Sequence, residues 1–212
     1  MSRARFITFE GGEGAGKSTQ VRRLADGLVA AGLDVTTTRE PGGAPGAEEI
    51  RQLLVTGETG RWDATSEALL HFAARRTHVE ETIRPALDAG QWVICDRFAD
   101  STMAYQGYGH GLGRDVIDTL YHLVLDEFGP DLTLILDVPV EDGLRRAGGR
   151  DHAENRYERM DVAFHERLRA GFLDIAEREP ERCVVIDATR PADTVQDDIW
   201  AAVAARLKVD LA

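Results

Sequence analysis

Eight residues, Gly11-Gly12-Glu13-Gly14-Ala15-Gly16-Lys17-Ser18, constrain this chain more than any others. They follow a short apolar run, Arg5-Phe6-Ile7-Thr8-Phe9. They open a segment in which Val21, Leu24, Leu28 and Ala31 recur at helical spacing until Gly32 ends it. A strand, a glycine-rich turn and a helix in that order fit the P-loop pattern G-x-x-x-x-G-K-[ST] in full. The glycines permit torsions that aim successive N–H groups at phosphate oxygens, and the positive end of the helix converges on the same point. The bare pattern arises by chance in about one chain of this length in a hundred. The strand before it and the helix after it make chance the poorer account. Gly11, Gly12, Glu13, Gly14, Ala15, Gly16, Lys17, Ser18 and Thr19 are therefore the candidate ATP-binding residues. Lys17 is expected to reach the β- and γ-phosphates, and the Ser18 hydroxyl to ligate Mg²⁺.

The rest of the chain alternates in the same way. Apolar or β-branched runs at 34–38, 91–95, 132–138 and 183–187 read as strands. Helical patterns occupy about 47–55, 66–89 with Pro85 as a possible kink, 99–106, 114–128, 140–147, 153–177 and 194–207. Alternating strands and helices imply an α/β fold, a five-stranded parallel sheet covered by helices on both faces, in one domain of 212 residues. Twenty-five basic against thirty-seven acidic side chains leave a net charge of −12, a surface that repels nucleic acid and anionic membranes. No apolar run approaches the roughly 20 residues of a membrane span, and no signal-peptide pattern opens the chain. Cys95 and Cys183 each border an apolar run and read as buried thiols in a reducing compartment, so a cytoplasmic location is expected.

The P-loop alone leaves the class open. A GTPase would need an Asn-Lys-x-Asp element, which the sequence lacks. Val93-Ile94-Cys95-Asp96 ends in an acid, but Arg97 follows at once, which suits a small-molecule kinase better than a motor ATPase.

Several further segments resemble the thymidylate kinases. They are Phe9-Glu10-Gly11 running into the P-loop, Arg39-Glu40-Pro41-Gly42-Gly43, Phe72-Ala73-Ala74-Arg75-Arg76, Asp96-Arg97-Phe98, Ala104-Tyr105-Gln106-Gly107, and a basic stretch from Arg145 to Arg159. The resemblance implies transfer of the ATP γ-phosphoryl to dTMP, with Mg²⁺ as cofactor. It implies that Arg39 and Arg97 clamp the acceptor phosphate, that Asp96 acts through Mg²⁺ or its waters, and that Glu13 accepts the sugar 3′-hydroxyl. Phe72 and Arg76 stand four apart on one helix, as do His71 and Arg75. The resemblance implies an aromatic residue four before a base-reading arginine. Counted back from Pro85, the family pattern puts Arg75 in the arginine slot and His71 in the aromatic one, so Arg75 is the expected base reader, with Phe72 lining the pocket. Thr102 and Gln106 stand four apart and are the candidates to read the base edge together, Ser101 is a further substrate-binding candidate, and Tyr105 is expected to pack under the sugar.

No basic residue stands among Gly12, Glu13, Gly14 and Ala15, whereas Arg145-Arg146-Ala147-Gly148-Gly149-Arg150 is basic and glycine-interrupted. This resembles the bacterial subtype in which a small mobile lid, here about 145–159, supplies the charge. Arg146, Arg150 and Arg156 are its candidate arginines. The six histidines form no metal-ligand spacing with the cysteines and read as structural or surface residues. The resemblance suggests a homodimer formed through the helices from Ser66 and Arg114. Another nucleoside monophosphate or deoxynucleoside kinase is an alternative, and a P-loop regulatory or assembly ATPase is one of a different class.

Overall fold

The computed structural model describes residues 3–148 and 156–209. Five strands, β1 (Phe6–Glu10), β2 (Val35–Arg39), β3 (Trp92–Asp96), β4 (Leu132–Asp137) and β5 (Cys183–Asp187), pair in parallel in the order β2-β3-β1-β4-β5. β1 and β4 lie inside the sheet and between two helical layers, which is why they read as unbroken apolar runs. Alternate side chains serve opposite faces. Ile7, Phe9, Ile94 and Leu134 meet Leu24 and Leu28 of α1 (Lys17–Ala30) and Ile199 and Val203 of α9 (Ala192–Leu207). On the other face Ile135 packs with Phe72 of α3 (Ala64–His78) and with Phe164, Leu168 and Phe172 of α8 (Val162–Arg178). Each such buried Leu or Phe contributes roughly 1.5–3 kcal/mol of transfer free energy. The expected five-stranded sheet and its two helical layers are present.

Because every strand is parallel, all five C-terminal ends lie along one edge. Each ends in an ionisable residue: Glu10, Arg39, Asp96, Asp137 and Asp187. Arg39 registers against Asp96, and Asp137 against Asp187. An apolar sheet with a charged C-terminal rim is where open α/β folds bind ligands.

Local chemistry explains most of the remaining boundaries. α1 stops at Gly32, φ 80°, where Leu33 N–H reaches back to the Leu28 carbonyl at 3.1 Å. The helix expected over 66–89 is interrupted. After α3 comes a π-helical segment, Val79–Ile83, then α4 (Arg84–Asp88) with Pro85 in its first turn. The proline has no N–H to give and its ring displaces the preceding turn, so the wider π turn absorbs the mismatch. Similarly, α5 (Ala99–Thr102) runs into a π-helical segment, Met103–Gly109. α2 (Pro45–Val55) and α7 (Val140–Ala147) fall close to expectation. α6 (Arg114–Leu125) ends three residues early at Asp126, φ 55°. The long helix expected from residue 153 begins only at Val162. Asp161 caps it by accepting the Phe164 N–H at 2.6 Å, and residues 156–160 form a turn before it. Cys95 and Cys183 are buried free thiols, as expected.

Candidate active site

The P-loop joins β1 to α1 at the centre of the charged rim. Lys17 Nζ donates to the carbonyls of Gly11 (3.1 Å) and Gly12 (2.8 Å), and burial together with the nearby Arg97 lowers its pKa to about 8. α7 lies directly on the loop. A Cβ at Gly14 would collide with the Gly143 carbonyl, and a Cβ at Gly143 would come within 2.5 Å of the Glu13 carbonyl. Both positions must be glycine for the helix to approach this closely. Gly143, which sequence reasoning passed over, was detectable as a lone glycine inside a helical pattern. Ala15 is buried in the core and Thr19 is exposed on the first turn of α1.

The Ser18 hydroxyl donates to Asp96 Oδ2 at 2.8 Å, so the P-loop hydroxyl and the β3 carboxylate face one point. Among the described residues no group of three or more His, Cys, Asp or Glu could hold a metal by itself. One hydroxyl and one carboxylate, both hard oxygen donors, nonetheless fit Mg²⁺, which completes its shell with phosphate oxygens and water.

Arg97 follows β3 with a left-handed backbone, φ 72°, uncommon for a residue with a side chain. Two bonds hold that turn: Arg97 N–H to the Phe9 carbonyl at 2.9 Å, and Phe98 N–H to Glu10 Oε1 at 2.7 Å. The guanidinium is thereby aimed back at the P-loop, donating to the Gly11 carbonyl (3.0 Å), Ser101 Oγ (3.2 Å) and Glu13 Oε1 (3.0 Å). Tyr105 donates its phenol to the same Glu13 oxygen at 2.5 Å and lies under the Arg97 guanidinium. Burial opposes ionisation of Glu13, but Arg97 and Lys17 outweigh it and bring its pKa down to about 2. Glu10 behaves oppositely: full burial and the Asp100 carboxylate push it up to about 8. Glu10 was absent from the sequence candidates because a strand-end acid carries no distinctive spacing.

Beside the loop opens a cavity of about 220 Å³, lined among others by Arg39, Arg51, His71, Arg75, Arg97 and Gln106. A smaller cavity of about 20 Å³ beneath the P-loop has room for little beyond one water. Arg39 reaches the larger cavity from the end of β2 and pairs with Glu48 through both carboxylate oxygens at 3.1 Å. Arg51, a guanidinium the sequence reading missed, donates to the Pro41 carbonyl at 2.6 Å. Arg75 is almost fully buried. Its Nε donates to Glu40 (2.7 Å), its Nη2 to the Phe98 carbonyl (3.0 Å) and Thr102 Oγ1 (2.9 Å), and its Nη1 has no partner among the described residues.

Several expectations are corrected. Thr102 does not line the cavity; its hydroxyl is taken up by Arg75. Phe72 packs in the core behind Arg75, 4.9 Å from ring centroid to guanidinium carbon. Its place on the cavity wall belongs to His71, whose Nε2 lies 2.8 Å from the Tyr157 hydroxyl and whose pKa burial lowers to about 4. His71 is thus no mere surface histidine. Arg76 is turned about 100° around the helix from Arg75. It donates to the Val124 carbonyl and pairs with Glu80, both at 3.1 Å, on the outer face. Glu67, His71, Arg75 and His78 form a stripe at i, i+4, i+8 and i+11, a polar buried face that the sequence offered and that only the i, i+4 pair had flagged.

The basic stretch divides. Arg156 does not face the P-loop; it is buried and donates to the carbonyls of Leu54 (3.1 Å), Glu58 (3.1 Å) and Thr59 (3.0 Å) and to the Glu67 carboxylate. Four partners make it an anchor rather than a cation held for phosphate. Arg146 does lie on the loop, its Cβ beside Gly14, with Nη1 donating to the Ala188 carbonyl at 2.9 Å. Arg150 lies outside the described residues.

Phosphate held at the loop and phosphate held between Arg39 and Arg97 would face one another across Asp96. That is the layout of a P-loop kinase working on a nucleotide donor and a second, phosphorylated acceptor. The family model described as thymidylate kinase matches residues 9–199, and the chain belongs to that family. It is 58% identical to the thymidylate kinase of Caulobacter vibrioides over 207 residues, 98% of this chain and 99% of that one. It is 52% identical to the thymidylate kinase of a Bradyrhizobium species, covering 97% of this chain and 92% of the relative. A crystal structure of thymidylate kinase from Ehrlichia chaffeensis, 38% identical, aligns with a TM-score of 0.78 over 94% of this chain and 98% of that one.

Proposed function

We propose that this chain transfers the γ-phosphoryl group of ATP to dTMP, giving dTDP and ADP. The observation that carries the choice of base is a pair of buried groups on the cavity wall. Arg75 Nη1 is a donor without a partner, and Gln106 Oε1 is an acceptor without one, among the described residues. Buried polar groups are costly unless paired, so the cavity calls for a ligand edge offering one acceptor beside one donor. The C4 carbonyl and N3–H of thymine are such an edge. Cytosine presents the reverse, an amino group beside a bare nitrogen, and would leave both wall groups facing like partners.

The remaining roles follow from position. Arg97 and Arg39 hold the acceptor phosphate with planar, forked donors. Glu13, fixed by Arg97 and Tyr105, faces the sugar, and the Tyr105 ring closes the space where a 2′-hydroxyl would project. Lys17 and the loop amides hold the donor phosphates. Mg²⁺, carried by Ser18 and Asp96, would offset charge on the β- and γ-phosphates. Arg146, on α7 against the loop, would reach toward the transferring group.

The chain works as a homodimer in the cytoplasm. No described helix is long and apolar enough to cross a membrane. Leu69 of α3 and Leu123 of α6 are exposed beside one groove, an apolar face suited to its own copy. Initial rates with dTMP, dUMP, dCMP, dAMP and dGMP at fixed ATP test the assignment. Turnover confined to dTMP and, more weakly, dUMP is expected. Equal use of dCMP would overturn it. Sedimentation of wild type and Leu123→Glu tests the dimer.

A further inference from the structure

We infer that Glu67 is a positioning residue for base selection, holding the Gln106 amide so that its carbonyl, and not its NH₂, faces the base. The inference rests on the dTMP reading above and names a residue that does not itself line the cavity.

Gln106 can present either end of its amide to a ligand, because carbonyl and NH₂ are nearly the same shape. Its environment must therefore decide which end faces the base. Gln106 and Glu67 are both fully buried, and Gln106 Nε2 donates to Glu67 Oε1 at 2.7 Å. Glu67 Oε2 accepts from Arg156, and His110 Nε2 stands 3.5 Å from Oε1. Burial opposes ionisation of Glu67, but His110 and the Arg156 guanidinium overcome it, and the group is a carboxylate at neutral pH. A carboxylate only accepts. A flipped Gln106 would press its carbonyl against Glu67 and lose the hydrogen bond from Nε2, so the amide has a single orientation before any nucleotide arrives. That orientation leaves Oε1 on the cavity wall.

Arg156 adds a second constraint that makes the idea testable with an isosteric change. In Glu67→Gln the introduced amide has one carbonyl and one NH₂. The Arg156 guanidinium can only donate, so the introduced carbonyl turns to it and the introduced NH₂ faces Gln106. Gln106 must then answer with its carbonyl, which swings its own NH₂ onto the cavity wall. The wall acceptor becomes a donor, opposing thymine N3–H and matching cytosine N3. The clash of the cytosine amino group with Arg75 remains, so specificity should weaken without inverting fully.

The measurement is the ratio of kcat/KM for dTMP to that for dCMP, in wild type, Glu67→Gln and Gln106→Met. Glu67→Gln is expected to lower the ratio at least about tenfold, chiefly by a raised KM for dTMP. A purely structural role would lower Tm and slow both substrates alike, and an unchanged ratio overturns the inference. Gln106→Met separates the two layers. If it too leaves the ratio unchanged, Gln106 does not read the base and that part of the dTMP reading fails. If it lowers the ratio while Glu67→Gln does not, only the role of Glu67 fails. Should Glu67→Gln not fold, hydrogen exchange of the Gln106 side-chain amide in the wild-type protein decides. Protected NH₂ protons without nucleotide support the inference, and freely exchanging ones overturn it.

Discussion

The Arg97 guanidinium donates to Glu13 Oε1 at 3.0 Å, joining the end of β3 to the phosphate-binding loop. Arg97 thereby shapes the loop, and on the proposed reading it would also face the acceptor. Its left-handed backbone, held through Phe9 and Glu10, shows that the surrounding structure fixes this direction at some conformational cost.

Arg97→Lys keeps the charge but cannot reach Gly11, Ser101 and Glu13 together, because an ammonium lacks the planar fork. We expect kcat/KM for dTMP to fall by about 10²-fold or more, in the range seen when one preorganised donor is removed. Unchanged steady-state kinetics would reduce Arg97 to an ion pair with Glu13.

Lys17→Ala should abolish most phosphoryl transfer, since the buried phosphate charge loses its nearest cation. The carbonyls of Gly11 and Gly12 that Lys17 now contacts can turn to water, so Tm should move little. Near wild-type turnover would remove the P-loop from the mechanism.

The sheet order was not legible in the sequence, but the parallel class was, because buried parallel strands are apolar throughout. The P-loop was legible because its function needs a contiguous backbone shape. The larger cavity was legible only in part, since it is assembled by side chains from β2, α2, α3 and the segment after β3. Helical spacing offers Phe72 with Arg76 and His71 with Arg75 alike. The family pattern counted back from Pro85 favours Arg75, and Arg76 and Phe72 are misplaced because spacing cannot say which side of the helix is inward. Glu10, Glu67 and Arg51 escaped notice because a lone charged residue in a strand or helix has no signature until its partners are known. Arg156 reads as a phosphate ligand in the sequence because basic composition does not distinguish a free guanidinium from one bonded by four neighbours.

Glu10 gives a dependence of stability on pH. Its pKa is 4.5 as an ordinary carboxyl and about 8 in the fold. Between these values the folded chain keeps a proton that the unfolded chain releases, so this group makes stability fall as pH rises from about 4.5 to 8. Glu10→Gln cannot ionise and loses that slope. The stability of wild type minus that of the variant should decline across this window by up to about 1.4 kcal/mol per pH unit. Urea titrations at four pH values check it, and parallel curves would refute it. The lowered pKa of Lys17 acts above pH 8 and with the opposite sign, so it does not mask the effect.

Arg156→Ala should act on stability. Removing it leaves the Glu67 carboxylate buried beside Gln106 without its main cation, and frees the carbonyls of Leu54, Glu58 and Thr59. Breaking a buried pair from one side costs about 3–5 kcal/mol. Urea unfolding should show that loss, and a variant as stable as wild type but with a lowered kcat would restore Arg156 to the phosphate site.

With Arg156 committed to its anchor, charge on the transferring phosphoryl would, on the proposed reading, be met by Lys17, by Mg²⁺ and by the arginines preceding residue 156. On the same reading Lys17, and Mg²⁺ held by Ser18 and Asp96, would serve the β- and γ-oxygens from the loop side. Glu13 and Gly14 carry no cation of their own, and α7 presses Arg146 against Gly14 through the Gly14–Gly143 contact. The Arg146 guanidinium rests on the carbonyls of Ala188 and Thr189, neutral acceptors it can leave more easily than a carboxylate. Arg145, by contrast, is paired with Asp142 at 2.6 Å on the exposed side of α7. We expect Arg146→Ala combined with Arg150→Ala to lower kcat by about 10²-fold or more while KM for dTMP barely changes. That pattern marks an interaction made chiefly in the transition state. Arg145→Ala serves as the control and should leave kcat within about threefold, since an exposed i, i+3 pair is worth well under 1 kcal/mol. Normal kcat in the double variant with only a raised KM for dTMP would place these arginines at the acceptor instead.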